Sequence, residues 1–422
     1  MPDAPRHDSE DRRDLEPFVA LEAATLIAGT GNGVAALALP WLTLRLTNDP
    51  AAAGVVVAAG ALPTLVASLA SGVVIDRLGR KRTSVGSDVF SAVSAGAIPL
   101  FGFLGILTYP LVLAASVAGA AFDPVGVTAR EAMLPDVARR GRLDLERVNG
   151  VHEAVWALAF LVGPGVAGVL IAAIGAAQSF LAMFAGFVAS AVLVGTARMR
   201  TPPPRTRPPQ PWLADALDGL RFVWRDRAIR STTLLSTISF TLAYSVLAIV
   251  LPVVYERLDQ PQRLGLLVMA FSAGAIVGSL VYSAVGTWTA RRPVFVTGLV
   301  AMAAMAGVLA FSPAFRVRIA VMLAAGFASG PVGPIVNVVL QERAAEEIRG
   351  RALAMVFALD YALFPVGYVS AGFLINAVGI PRTFALIGIG AGIVAFWSMA
   401  TPALRGMERS RRGPGAGPLP GG

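Results

Sequence analysis

The chain has 422 residues, 55 % of them hydrophobic and 14 % charged, with a net charge of +9, no cysteine and only two histidines. A soluble domain carries about a quarter charged residues, so this composition belongs in a lipid bilayer. The lack of cysteine excludes disulfides, thiolate metal sites and cysteine catalysis, and His7 and His152 are too few for a histidine metal cluster; the arginines lie in short segments between apolar runs, which points to membrane topology and not to nucleic acid.

Residues 1–17 carry Asp8, Glu10, Asp11, Asp14 and Glu16 and lack the basic-then-apolar order of a cleaved signal, so a cytosolic tail is expected. A spanning helix needs about 20 predominantly apolar residues. Such runs occur at 18–44, 51–75, 84–107, 109–131, 149–174 and 177–198, a first bundle over 18–198. Residues 199–230 interrupt them. Pro202, Pro203, Pro204, Pro208, Pro209 and Pro211 predict a stiff extended spacer. Leu213, Leu217, Leu220 and Trp224 then recur at helical spacing opposite Asp215, Asp218, Arg225 and Asp226, predicting an amphipathic helix along the inner membrane surface, with a purely structural linker as its favoured role. Runs at 231–255, 263–286, 293–312, 317–341, 350–376 and 382–404 make a second bundle over 231–404, and 405–422 reads as another cytosolic tail.

The fold class is therefore an all-α membrane protein with twelve transmembrane helices in two six-helix bundles. Its 44 glycines suit helices that pack closely in lipid. Arg77, Arg80, Lys81, Arg82, Arg139, Arg140, Arg142, Arg147, Arg291, Arg292, Arg343, Arg349 and Arg351 fall on one side, with the linker arginines. Arg45, Arg257, Arg263, Arg316, Arg318 and Arg382 fall on the other. That bias predicts a multi-pass protein of the inner or plasma membrane with both termini cytosolic. The halves echo each other: Pro124-Val125-Gly126 returns as Pro331-Val332-Gly333, and Ala167-Gly168-Val169-Leu170 as Ala371-Gly372-Phe373-Leu374, in the same order and at nearly the same offset.

Between the second and third runs, Gly72 to Arg82 follows the pattern G-x-x-x-D-R-x-G-R-K-R. Gly72 lets another helix approach and Gly79 permits a tight turn. Asp76 ends its helix on the side where the eleventh helix begins, near Arg349 to Leu353, and a carboxylate beside a helix N-terminus gains about 0.3–1 kcal/mol. In this motif the chain resembles transporters of the major facilitator superfamily, and the resemblance covers nearly its whole length. It implies a substrate path near the midplane between the halves. It also implies a conformational latch built from Gly72, Asp76, Arg77, Gly79, Arg80, Lys81 and Arg82, in which Asp76 meets the eleventh helix when the cytosolic side is closed. Plain positive-inside anchoring is the other reading of the same charges.

In the fifth run, Gly163-Pro164-Gly165-Val166-Ala167-Gly168 is similar to the G-P-x-x-G-G element of drug/proton antiporters, with Ala167 replacing one glycine. Gly163, Pro164 and Gly168 would kink the helix and shape the interface between halves. Leu134-Pro135-Asp136, Pro331-Val332-Gly333-Pro334, Gln341-Glu342-Arg343 and Arg349-Gly350-Arg351 resemble macrolide-efflux and enterobactin-exporter proteins. Two features depart from the pattern. The arginine position of the fourth-helix R-x-x-x-G element is Ala115, and the second copy of the loop motif, Gly278 to Arg292, has no acidic residue.

An ionisable group inside lipid costs roughly 2.5–3.5 kcal/mol or more, so it tends to face a cavity and to act there. At 1.5 Å per residue, Asp360 lies near the middle of a core about 30 Å thick, Asp123 shallower, and Glu153 nearer the inner surface. These three are candidates for proton coupling, although Asp123 before Pro124 also suits a helix break. Asp88 is expected to join the arginine-rich inner surface, and Glu22 to sit inert at the membrane edge. Thr30 and Asn32 are candidate substrate contacts by polarity. Together with the resemblance, these features lead to secondary active export of a small amphipathic, drug-like or siderophore-like molecule by alternating access, in antiport with protons. The expected partners are that molecule, protons and the bilayer, with the proton gradient as energy source, no cofactor and a functional monomer. A nutrient importer or proton symporter of the same fold is the alternative, then a non-transporting membrane receptor. No catalytic or nucleotide-binding constellation suggests an enzyme.

Overall fold

Long apolar runs in a medium without water must satisfy every backbone N–H and C=O internally, which makes each of them a helix. A computed structural model describes residues 14–198, 212–286, 288–312 and 314–408. Among these, twelve helical spans are long and apolar enough to cross a bilayer. They are α1 (Glu16–Thr47), α2 (Pro50–Leu78), α3 (Arg80–Phe103), α4 (Tyr109–Gly141), α5 (Leu145–Ile174) and α6 (Ala176–Thr196), then α7 (Arg227–Arg257), α8 (Pro261–Val285), α9 (Arg291–Phe311), α10 (Phe315–Arg343), α11 (Ile348–Val378) and α12 (Ile380–Ala400). The proline spacer and the outermost tails lie outside the described residues.

The punctuation is local. Asp49 caps α2 by accepting from the Ala51 amide at 2.8 Å, with Pro50 filling the first helical position. Gly79 joins α2 to α3 at φ 84°, a conformation that a Cβ would disfavour. Inside α7, Val246–Val250 form a π-helical turn in which the Leu251 amide donates to the Val246 carbonyl. Pro252, which has no amide to donate, follows directly, and such wide turns cluster at functional positions.

The repeat seen in the sequence has a structural counterpart. In the first half Arg80 pairs with Asp136 at the end of α4 (2.8 Å), and Lys81 donates to the Ala197 carbonyl beyond α6 (2.8 Å). In the second half Arg291 grips Glu342 at the end of α10 (2.6 Å), and Arg292 donates to the Met399 carbonyl near the end of α12 (2.6 Å). Each pair of adjacent basic residues thus clamps the end of its own bundle.

Twelve crossings bring the start of α1, the linker and the end of α12 to one end of the molecule, called here the linker end; the opposite end is the far end. The linker helix Trp212–Arg225 is amphipathic as expected, but it seats on the beginning of α11. Gly219 lies so close to the Arg351 carbonyl that a Cβ there would fall 2.5 Å from it, Val223 is fully buried, and Asp218 approaches Arg351 at 3.7 Å. Protein, not the membrane surface alone, is its partner.

Candidate functional site

The two bundles meet through helix faces stripped of side chains. A Cβ on Gly33 of α1 would lie 2.8 Å from the Gly163 Cα of α5, which sets α1 tightly against α5 within the first half. Across the halves, the same test places Gly265 of α8 at 2.5 Å from the Pro164 carbonyl, Gly168 of α5 at 2.7 Å from the Pro261 carbonyl, and Gly54 of α2 against Tyr368 of α11. Gly163, Pro164 and Gly168, singled out in the sequence, therefore lie where α5 meets α1 and α8. Polar contacts rim the same end: Arg45 with Glu256 (3.0 Å) and Asp259, and Asn376 donating to Asp49 (2.6 Å). All of these positions lie toward the far end.

The linker end is different. Gly72 of α2, Gly150 of α5 and Gly350 of α11 have open space where a Cβ would be. Asp76 and Arg77 are exposed, and neither their side chains nor that of Arg82 makes a hydrogen bond or ion pair with another described residue. Of the loop motif, Arg80 and Lys81 hold the first bundle together while Asp76 is not joined to the start of α11. The molecule is closed at the far end and open at the linker end.

Beneath the far-end closure lies a cavity of about 600 Å³ between the halves. Gly33 and Leu37 of α1, Phe160 and Pro164 of α5, Tyr244 and Leu247 of α7, Phe271 and Ser272 of α8, and Phe364 and Tyr368 of α11 line it. Its wall is aromatic and aliphatic, with hydroxyls from Tyr244, Ser272 and Tyr368, a surface that suits an amphipathic molecule of modest size. The π-helical turn of α7 contributes Leu247 and Ala248.

The predicted acids divide. Asp360 accepts a 2.6 Å hydrogen bond from Thr237 of α7, and Asp123 accepts one from Asn32 of α1 at 2.9 Å. Tyr361 lies within electrostatic range of both carboxylates. Asn32 is thereby committed to Asp123 and lines a separate space of about 140 Å³ within the first half. Thr30 contributes its carbonyl to the α1–α5 contact, 3.0 Å from where a Cβ on Gly163 would be. Glu153 is exposed near the linker end.

Three features escaped the sequence reading. Asp88 pairs with Arg130 at 2.8 Å, both 2 % exposed or less, and accepts from Ser190 at 2.7 Å. Glu22 is buried against His152 at 3.1 Å, and the Trp156 indole donates to the other ring nitrogen of that histidine at 3.2 Å. Arg45 bridges the halves. A histidine four residues before a tryptophan inside an apolar run was the one available signal for the second of these.

Comparison with known proteins adds direct likenesses. The family model described as transmembrane secretion effector matches residues 14–414. The chain is 33 % identical over 397 residues to the multidrug efflux pump Tap of Mycolicibacterium fortuitum, covering 93 % of this chain and 97 % of that one. To macrolide efflux protein A of Streptococcus pyogenes it is 20 % identical over 342 residues, covering 78 % and 82 %. Among solved structures, the nucleoside transporter NupG superposes with a TM-score of 0.73 at 13 % identity, over 91 % of this chain and 98 % of that one.

Proposed function

The chain belongs to the transmembrane secretion effector family and is a multi-pass transporter of the major facilitator fold, and on that premise we propose that it exports a small amphipathic, drug-like molecule by alternating access in antiport with protons. The observation that carries this reading is the aromatic cavity of about 600 Å³ between the halves, sealed at the far end. A cavity of this kind, reached from one end at a time, is what alternating access requires. The basic bias of the linker end supports a cytosolic position for it and for both termini, and on that reading the open linker end would load from the cytosol. The likeness to pumps named for multidrug and macrolide efflux favours export over import. Asp360, held by Thr237 in the membrane interior with Tyr244 and Tyr361 nearby, supports a proton-carrying role, with Asp123 as its counterpart in the first half. In the closing half-cycle Asp76 would meet the start of α11.

A growth-inhibition panel tests the reading. An efflux-deficient bacterial strain expressing the chain should tolerate at least two chemically unrelated amphipathic antibacterials better than the same strain with empty vector. The strongest hit is then followed in proteoliposomes with and without a pH gradient. Asp360→Asn should abolish uphill, gradient-driven export and preserve downhill exchange, since the amide imitates the protonated acid. No protection against any compound removes the export reading; undiminished uphill transport by Asp360→Asn removes Asp360 as the coupling acid.

A further inference from the structure

Glu22 and His152 are 6 % and 4 % exposed, and both lie away from the cavity wall, between α1 and α5 near the linker end. The imidazole is gripped on both sides. Its Nδ1 faces both carboxylate oxygens of Glu22, at 3.1 and 3.2 Å, and its Nε2 accepts from the Trp156 indole at 3.2 Å. An indole N–H can only donate, so Nε2 must be bare and the ring proton must sit on Nδ1, donated to Glu22. In this arrangement the pair carries a single negative charge and has one open place for a proton.

The indole also belongs to the cavity. Trp156 stacks on Phe160 with ring centroids 5.6 Å apart and an interplanar angle of 28°, and Phe160 lines the cavity. On its other side the indole packs against α1, where a Cβ on Gly29 would lie 3.3 Å from the ring. His152, Trp156 and Phe160 succeed one another at four-residue intervals along one face of α5.

We propose that the Glu22–His152 pair is a second proton-binding site, separate from Asp360, whose occupancy is transmitted through Trp156 to the Phe160 wall of the cavity. A proton arriving from water binds His152 Nε2. The pair then becomes an imidazolium–carboxylate pair of zero net charge, with Nδ1–H still donated to Glu22. Two N–H donors now confront each other, so the Trp156 indole leaves Nε2 and carries its stacking on Phe160 with it. Loss of the proton restores the indole hydrogen bond. The inference takes from the preceding section only that the cavity holds the transported molecule.

Other charged groups face the pair from the elements packed around it. α4 presents Glu131, within electrostatic range of His152, Glu153 and Arg130, while Arg130 is already paired with Asp88 of α3. α5 itself adds Glu146, Arg147 and Glu153, and α1 adds Glu16 in its first turn. The last turns of α4 bring Asp136, held by Arg80 and Arg139, together with Arg140, which approaches Asp14 at 3.8 Å. α6 brings no charged residue, and the charges of α7 and α8 packed nearest α1 and α5, Glu256, Arg257 and Arg263, lie at the far end.

Because the chain has only two histidines, His7→Gln leaves His152 as the sole imidazole for nitrogen NMR of the full-length, ¹⁵N-histidine-labelled protein in nanodiscs. Across an acidification series the ring should pass from protonated on Nδ1 and bare on Nε2 to carrying both protons. The indole resonance lost in Trp156→Phe should shift over the same interval. Glu22→Gln keeps the hydrogen bond and removes the charge that stabilises the imidazolium, so both changes should vanish. Trp156→Phe provides a second variant that leaves the pair intact: its ring should still take up the proton, with the Nδ1 tautomer no longer enforced. In the parent, the affinity for rhodamine 6G should change several-fold across the interval, and in Glu22→Gln it should not. An Nε2–H ring at high pH, a ring that never changes state, or an indole that ignores the ring would overturn the proposal. A dye that does not bind the parent at any pH counts against the cavity reading, and the NMR arm then decides the proton site alone.

Discussion

At the scale of single residues, Asp88 and Arg130 form a charge pair buried from both sides. Counting residues placed Asp88 near the basic inner surface, yet it points inward to Arg130 and Ser190. Removing one member of a buried pair leaves the other charge stranded at a cost of about 3–5 kcal/mol. Asp88→Asn is therefore expected to lower the thermal midpoint of the purified protein markedly, and a midpoint equal to the parent's would show that the guanidinium finds other partners. Asp226 offers a milder test outside the spans. It caps α7 by accepting from the Ala228 and Ile229 amides (2.8 and 3.0 Å) and pairs with Arg343 (2.7 Å). Partial burial works against its charge, but these donors together hold its carboxyl below the usual carboxylate range. A folded value below the unfolded one, about 3.9, means that the stabilisation is complete above that pH and is lost as pH falls through the folded value. Asp226→Ala should cost about 0.5–2 kcal/mol at neutral pH, as for other caps, with the gap to the parent narrowing as the pH falls below the usual carboxylate range. A gap that stays constant with pH would assign the loss to packing instead.

At the scale of elements, the far-end closure rests on glycine contacts more than on charge. Arg45 and Asp259 are 46 % and 78 % exposed, and exposed ion pairs are worth about 0.2–1 kcal/mol. Arg45→Ala should thus shift the balance between closed and open far ends by less than about tenfold. Gly265→Val drives a side chain into the Pro164 carbonyl and should open that end in most molecules. The natural lack of cysteine makes the measurement direct: Ala248→Cys, on the cavity wall, reports through labelling by an impermeant maleimide. Labelling of the Gly265→Val protein from the linker side only, as in the parent, would refute the assignment of this contact as the gate. The motif of α5 was visible in the sequence because proline and glycine are chemically distinctive. Its partners on α1 and α8, Gly33 and Gly265, were not, since glycine is common throughout the chain and nothing local marks which glycine meets which.

At the scale of the whole molecule, the hydropathy pattern and the echo between halves sufficed for twelve helices in two bundles, because lipid permits so few alternatives. The amphipathic spacing of the linker helix is legible in the sequence, but nothing in that spacing names its protein partner. Its seat on α11 depends on Gly219 meeting a backbone carbonyl, a contact with no sequence pattern. Orientation is the remaining whole-molecule prediction. Reporter fusions at the N-terminus, within 199–211 and at the C-terminus should all report cytosol, and any one reporting the outside would break the assignment of the linker end.

The glycine seam at the far end also constrains how the protein can evolve. Glycine has no smaller neighbour in the genetic code, so every missense change at Gly54, Gly168 or Gly265 adds atoms to a contact that has no room for them. Mutation at these sites acts as a one-way ratchet, able to wedge the seam apart and unable to tighten it. Selection for a more firmly closed far end would have to work through other residues, and inherited variation at the seam itself should consist of rare, mostly deleterious alleles biased toward a carrier that leaks or stalls with the far end open.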